Sequence, residues 1–230
     1  MDKKVIGILG GMGPYATLAF FQKLLDLTPA KKDWEHLRII IDNNPHIPSR
    51  SRYLLYDEES PIEGMVDSCR KLQRYPVDVI AIPCNSACYF IDKVQDEIDV
   101  PILNIMEITS NSLASIYPNI KKVSVLGGAI TYNKKTYEKF LKQNDIEYVH
   151  HNKEIQDKVE FLIEKIKLNS ISEELKVDFY DLLEELKKSC NIQGVILGCT
   201  EFGCLMDIQT SIKILDSSTE LAKYILKNFS

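Results

Sequence analysis

Eight short apolar runs alternate with segments whose apolar side chains recur every three or four residues, and this alternation persists along all 230 residues. Strands and helices in strict alternation call for parallel strands joined by crossover helices, because two strands of the same sense need a dozen or more residues between them. The class is therefore α/β. The predicted strands are 4–9, 37–42, 77–83, 102–104, 122–126, 147–150, 194–197 and 213–215. The predicted helices are 17–26, 62–74, 89–97, 107–116, 134–143, 153–167, 173–188 and 219–227. Pro61 suits a first helical turn, and Gly127-Gly128 follows a strand as a βα loop should.

No Ser/Gly/Pro tract or charge block marks a linker, so any division of the chain has to come from repetition. Two segments are alike: VDVIAIPCNSA (77–87) and IQGVILGCTEF (192–202). Each runs an apolar strand into a small residue, a cysteine and polar side chains. Their cysteines stand 115 residues apart, half the length of the chain, which predicts two similar α/β halves.

Composition narrows the partners. With 28 Lys and Arg against 33 Asp and Glu the net charge is −5, so no basic field exists to collect nucleic acid. Any anionic ligand must be held by a few local cations. Hydrophobic residues at 45% and charged residues at 27% are globular values, and no apolar run approaches the roughly 20 residues that a bilayer requires. The opening MDKKVIGILGG runs through a short apolar stretch into a glycine turn, the pattern of a first strand rather than a secretory signal. Six cysteines, at 69, 84, 88, 190, 199 and 204, are too sparse for a disulfide framework, so free thiols in a reducing, cytoplasmic compartment are expected.

Ligands of open α/β sheets bind beyond the carboxyl ends of the strands, where the next helix also offers free N–H groups. Cys84 and Cys199 both fall there. A thiol in that position can drop below its ordinary pKa of roughly 8.5 and become a base or nucleophile. One such cysteine is most simply a small core residue; two in matching places, followed by Asn85 and Thr200, point to chemistry. Cys88 and Cys204 lie four and five residues further on, which raises a four-thiolate zinc site. Structural zinc takes its ligands from tight knuckles, whereas each pair here would begin at a strand end and continue into a helix, so no metal is expected. Cys69, Cys190 and Cys204 are read as packing residues, and His150 and His151, without a ligand-spaced partner, as surface residues.

The first βα turn, Gly10-Gly11-Met12-Gly13-Pro14, lacks the spacing of the dinucleotide fingerprint and the Gly-Lys-Ser/Thr of a phosphate loop. A carboxylate-binding turn and a plain tight turn both remain open. After the second strand, the loop from Asn43 to Arg50 carries amides, Pro45, Pro48 and a cation. Stiffness favours an arginine that grips a carboxylate with two N–H groups, although Arg50 and Arg52 equally fit solvated loop charges.

Together, GGMGP, NNPHIPSR, PCNSA, the Ile166-Lys167 pair, LGCTEF and the late LDSS resemble the aspartate/glutamate racemase family of cofactor-independent amino acid racemases, its aspartate racemase branch in particular. The likeness covers nearly the whole chain. It implies two pseudo-symmetric Rossmann-like α/β domains with central parallel sheets, residues 1–106 plus 214–230 and residues 107–213, with the active site in the cleft between them. It also implies a homodimer. Carried over by position, Cys84 and Cys199 match the family's catalytic cysteines, and Asn85, Ser86 and Thr200 match the groups that bind the substrate's amino and α-carboxylate groups. Arg50 and Lys167 match the cations that contact its carboxylates, and Met12 and Glu201, inside GGMGP and LGCTEF, complete the implied substrate contacts. Two departures stand out. Where the family has PCNTAH this chain has PCNSAC, with Cys88 for a frequent histidine, and the glycine that follows IKA is missing from IKLN.

The implied reaction is racemisation of an acidic amino acid, aspartate first and glutamate next, with one thiol removing the α-proton and the other returning one. Arg50 and Lys167 would supply one cation for each carboxylate, and no cofactor is implied. Two alternatives stand beside it: cis–trans isomerisation of a dicarboxylate on the same scaffold, with one cysteine as nucleophile, and a catalytically silent amino-acid-binding protein. The intact thiol pair argues against the last.

Overall fold

Strand β1 (Val5–Gly10) is buried at every position, as the sequence VIGILG requires of a parallel strand covered on both faces. The structure, a computed structural model, describes residues 4–168, 172–205 and 210–230. Its contacts divide the chain into two units, the first comprising Met1–Ile108 and Ser218–Ser230 and the second Thr109–Ser217.

In the first unit β1, β2 (Arg38–Asn43), β3 (Val79–Ala81) and β4 (Ile102–Leu103) form a parallel sheet in the order β2-β1-β3-β4. Helix α1 (Pro14–Leu27) starts with proline at its first turn and buries Ala16, Thr17, Phe20 and Leu24, one stripe at three- and four-residue spacing. The short α2 (Arg50–Tyr56) was not expected. Ser49 starts it by accepting the Arg52 N–H at its hydroxyl, the job of an N-cap. Helix α3 (Ile62–Gln73) buries Met65, Val66, Cys69 and Leu72 and packs against β1 and β2. Each such side chain contributes about 1.5–3 kcal/mol by leaving water. The single helix expected at 89–97 is instead α4 (Asn85–Cys88) and α5 (Ile91–Gln95), interrupted at Phe90, whose φ of −100° and ψ of 3° leave the helical region. Helix α6 (Ile105–Ile116) contains the first boundary between the units.

The second unit repeats the pattern. Strands β5 (Lys122–Leu126), β6 (Glu147–Tyr148), β7 (Gly194–Leu197) and β8 (Lys213–Asp216) pair in the order β6-β5-β7-β8, again all parallel. The helix expected at 134–143 is replaced by α7 (Ala129–Asn133) and α8 (Glu138–Gln143), with Lys135 between them at a φ of 46°. Helices α9 (Lys153–Lys167) and α10 (Glu173–Cys190) are capped by Asn152 and Ser172 and face each other through Ile155, Val159, Leu162 and Leu175, Phe179, Leu182. A 3-10 turn, Thr200–Leu205, sets Phe202 against Phe179, ring centroids 5.3 Å apart. Helix α11 (Ser217–Phe229) closes the chain. The register of β7 with β8 runs from Gly194–Lys213 to Leu197–Asp216, so residues 214–216 belong to this second sheet. No helix among the described residues is long and apolar enough to cross a membrane.

Candidate active site

Both sheets reverse direction of winding at their first strand: the chain steps from β1 outward to β2 and then back across to β3, and from β5 to β6 and back to β7. The carboxyl ends of β1 and β3, and of β5 and β7, are therefore switch points, the places where an open α/β sheet leaves a crevice. Most of the singled-out residues lie at these ends.

At the end of β1 two glycines allow close approach. Gly11 has a φ of +89°, and a Cβ there would lie 2.3 Å from the backbone of Asn44. A Cβ on Gly10 would lie 2.3 Å from Thr17, whose hydroxyl accepts the Gly11 N–H and donates to the Gly13 carbonyl, each at 2.9 Å. The turn after β1 is thus pinned to α1 and to the loop after β2. In that loop Asn44 donates to Ser68 Oγ at 2.9 Å and accepts the His46 N–H at 3.1 Å.

Arg50 is half-buried and held. Its Nη2 donates to the Met12 carbonyl at 3.1 Å and its Nη1 to the Pro48 carbonyl at 3.3 Å, while its Nε is buried with no partner among the described residues. A guanidinium has five N–H donors in a fixed fork, so donors remain for a carboxylate. Arg52 differs: it is exposed and bonded to the Glu58 carboxylate, which raises its own pKa and lowers that of Glu58. Met12 and Arg50 are thus brought together, and Arg52 is a surface charge.

At the end of β3, Cys84 occupies the N-cap position of α4 in extended conformation and is largely buried. Asn85 is buried and Ser86 half-buried in the first turn that follows. Cys88 turns inward. Its thiol donates to the Ile82 carbonyl at 3.6 Å, and burial, with a smaller contribution from Cys84, raises its pKa far above the ordinary thiol value. It packs beneath the Cys84 turn.

At the end of β7, the Gly198 N–H binds the Leu126 carbonyl at 2.8 Å, and a Cβ on Gly198 would lie 2.8 Å from Val125. Cys199 then leaves the sheet, and its thiol donates to Glu201 Oε2 at 2.8 Å. The Thr200 hydroxyl reaches the same oxygen at 3.4 Å. All three residues are half-buried, while Phe202 anchors the turn in the core. Lys167 is not drawn into this group: it ends α9 exposed, with no hydrogen bond or ion pair among the described residues. Asn169 and the side chain of Cys204 lie outside the described residues. Cys69 is fully buried, its thiol pushed up to about 12 by burial and by Asp42, and Cys190 packs against the α9–α10 core, so both are packing residues. Among the described residues no three His, Cys, Asp or Glu side chains form a metal-binding group.

One cluster was misread from sequence. His151 is buried, with Nδ1 2.9 Å from Ser124 Oγ and Nε2 3.0 Å from Gln156 Oε1. Gln156 gives its amide N–H groups to the Gly127 carbonyl at 3.1 Å and to Glu160 at 2.8 Å, so its oxygen accepts from His151 Nε2 and Nδ1 accepts from Ser124. The network ties the end of β6 to the glycine turn after β5, where a Cβ on Gly127 would lie 2.7 Å from Thr131 as one on Gly10 would meet Thr17. Nothing in the spacing of HHN marks a buried histidine; the fully buried Gln156 at helical spacing with Ile155 and Val159 was the available hint.

Comparison with known proteins adds five findings. The model of the Asp/Glu/Hydantoin racemase family matches residues 9–225. The chain is 33% identical over 230 residues to the broad specificity amino-acid racemase RacX of Bacillus subtilis, covering 98% of each. It is 28% identical over 240 residues to a glutamate racemase of Thermoanaerobacter pseudethanolicus, covering all of this chain and 81% of that protein. Among solved structures, aspartate racemase of Picrophilus torridus matches with a TM-score of 0.84 at 27% identity, over 97% of this chain and 93% of that one. An aspartate racemase homologue from Pyrococcus horikoshii matches with a TM-score of 0.78 at 26% identity, over 98% of each.

Proposed function

The chain belongs to the Asp/Glu/Hydantoin racemase family, and from that premise we propose that it interconverts the enantiomers of an acidic amino acid, aspartate first and glutamate next, with Cys84 and Cys199 as the acid/base pair. The observation that carries this reading is the hydrogen bond from the Cys199 thiol to the Glu201 carboxylate, 2.8 Å long. A thiol that donates to a carboxylate is held in its protonated form with its direction fixed, the state from which it can deliver a proton to the α-carbon.

Inversion at the α-carbon requires a base on one face and an acid on the other. In the proposed cycle one thiolate takes the α-proton, the opposite thiol delivers its own, and the roles exchange with the direction of turnover. Negative charge developing on the α-carboxylate is met by Asn85, Ser86 and Thr200 and by the N–H groups of the turns that follow β3 and β7. Arg50, fixed by the Met12 and Pro48 carbonyls, suits a carboxylate of the substrate. Lys167 is proposed for the second carboxylate on the family likeness, and Met12 and Glu201 are proposed as further substrate contacts on the same ground. No cofactor enters this scheme. The family likeness also supports a homodimer, and the free thiols of Cys69, Cys84, Cys88 and Cys190 support a reducing cytoplasmic setting.

The test is α-hydrogen exchange in deuterated water, followed by NMR, with L- and D-aspartate, L- and D-glutamate and a set of neutral amino acids. Deuterium is expected at the α-position of aspartate fastest, and Cys84→Ser and Cys199→Ser are each expected to abolish the incorporation. A Cys84→Ser protein with full two-way activity would sink the mechanism. Saturable binding without exchange would point to a binding protein, isomerisation of a dicarboxylate double bond to the other chemistry, and equal rates across neutral amino acids to a wider substrate range.

A further inference from the structure

Helices α9 and α10 lie side by side in the second unit, and their outer flanks leave a groove of about 620 Å³ between them. The floor of this groove is apolar. Leu162 and Leu182 are buried beneath it, and Phe161, in an otherwise charged stretch, stands 50% exposed along it. The walls are acidic. Glu154 and Asp157 come from α9, and Asp178, Asp181 and Glu185 from α10, against the single lysine Lys158. Five acids and one base give the groove a net charge of −4, whereas the whole chain carries −5.

Little within the fold neutralises that charge. Lys158 is bonded to Glu185 at 2.6 Å and Lys153 to Asp157, while Asp178 and Asp181 have no ion pair or hydrogen bond among the described residues. The acids also repel one another. Glu154 and Asp157 stand three apart on α9, and on α10 Asp178 and Asp181 stand three apart and Asp181 and Glu185 four apart. A face that is only solvated is stabilised by opposite charges at that spacing; this one sets like charge beside like around a half-exposed phenylalanine. The ring itself already accepts a cation, since Lys165 Nζ lies 5.2 Å from its centre.

We propose that this groove docks a basic amphipathic helix of a partner protein, with its apolar stripe over Phe161, Leu162 and Leu182 and its lysines or arginines against the two acidic walls. Charge complementarity sets the sign of the partner, and the backbone sets its shape. Helices α9 and α10 use their own N–H and C=O groups internally, so an extended segment buried here would leave its backbone groups unpaired, whereas a helix satisfies its own. A helix laid along two others packs its ridges into the groove between them. The fifteen residues of α9 span about 22 Å, room for about four turns of such a helix. This is helix-in-groove recognition, read through apolar anchors and flanking charge. It rests on this face alone and is independent of the racemase reading.

The test is binding of a synthetic peptide to the full chain, read by titration calorimetry and circular dichroism. The probe is as long as α9, with leucines at positions i, i+3, i+4 and i+7 and lysines elsewhere. One control has the same residues in an order without an apolar face, and another has glutamate for every lysine. Saturable one-to-one binding with a gain of helical signal is expected for the probe, binding at least about tenfold weaker for the reordered control, and none for the glutamate copy. Asp178→Lys combined with Asp181→Lys is expected to weaken the probe by about 10²-fold, and Phe161→Ser by about tenfold. Asp92→Lys combined with Asp96→Lys makes the same change of net charge at exposed positions of the first unit, and should leave the affinity within about twofold. Equal affinity for the reordered peptide would reduce the groove to a patch of charge and overturn the proposal. So would binding indifferent to the reversal at Asp178 and Asp181, a helical signal that does not rise, or spermine bound as tightly as the probe, which would make this a site for small polycations. Self-association of the wild type that the reversal abolishes would give the groove to a second copy instead.

Discussion

Cys69, Cys84, Cys88 and Cys199 are the same side chain in four environments, and the environment decides what each can do. Burial holds Cys69 near 12 and Cys88 higher still, so both remain protonated at neutral pH and act as small apolar residues. Cys199 differs because a carboxylate two residues away accepts a hydrogen bond from its thiol at 2.8 Å. Replacing that carboxylate by an amide removes the negative charge while keeping the shape. Glu201→Gln is expected to lower kcat/KM by about 10²-fold, the lower end of what a positioned acid/base group contributes, and, because a neighbouring negative charge disfavours the thiolate, to move the rise of rate with pH to lower pH. Two enantiomers are equal in free energy, so kcat/KM must fall equally in both directions. The asymmetry should appear in the primary deuterium isotope effect, which should grow only for the enantiomer whose proton goes to Cys199. An unchanged pH profile would assign Glu201 to substrate contact alone. The matching places of Cys84 and Cys199, each just beyond the carboxyl end of a strand, were legible from two similar segments, and so was the packing role of Cys69. The inward turn of Cys88 was not, since position four of a strand–turn–helix sequence can face either way and only the Ile82 carbonyl settles it.

At the level of elements, β1, β3, β5 and β7 were legible because a buried parallel strand needs an apolar run, and the long helices because α9 and α10 carry one apolar stripe each. The short elements were not. Two interruptions, at Phe90 and at Lys135 with its positive φ, split apparently continuous helical patterns, and Ser49 started a helix in what read as loop. The end of β6 was misjudged for the same reason: adjacent histidines look solvated until Ser124 and Gln156 are known to enclose one of them. Burial lowers the pKa of both His150 and His151 below 6.5, with Lys135 adding to the first and His150 to the second. A histidine kept neutral by the fold leaves the unfolded chain binding more protons below its ordinary pKa, so its stabilising contribution is full above about 6.5 and declines as the pH falls toward the folded value. The melting temperature is therefore expected to drop as the pH falls below about 6.5, above the window in which Glu58 and Asp78, both held below ordinary carboxylate values, take up protons. Thermal unfolding of His151→Ala across that range should show a shallower drop. At pH 7.5 the same variant should lose about 1–3 kcal/mol, because Ser124 and Gln156 are left without a buried partner.

For the whole molecule, the halves announced themselves through cysteines 115 residues apart, and each half folded into the same strand order, second-first-third-fourth. What periodicity alone could not show is where the last helix goes, since an amphipathic helix after a strand packs by default onto that strand's own sheet. Helix α11 follows β8 of the second sheet yet belongs to the first unit, where Lys23 Nζ donates to Ser218 Oγ at 2.6 Å. Leu221, Ala222 and Ile225 are fully buried along one stripe of that helix. The first unit is thus closed by residues from both ends of the chain, and its core is complete only when the last thirteen residues are in place. Leu221→Ala should cost about 2–5 kcal/mol, the range for a fully buried leucine, and the loss should be uneven. Native-state hydrogen exchange is expected to show β1 and β3 losing protection more than β5 and β7, because cooperative opening follows contiguous packing and not position in sequence. Uniform loss over both sheets would mean that the two units unfold as one, and a loss confined to β7 and β8 would return α11 to the unit that precedes it in the chain.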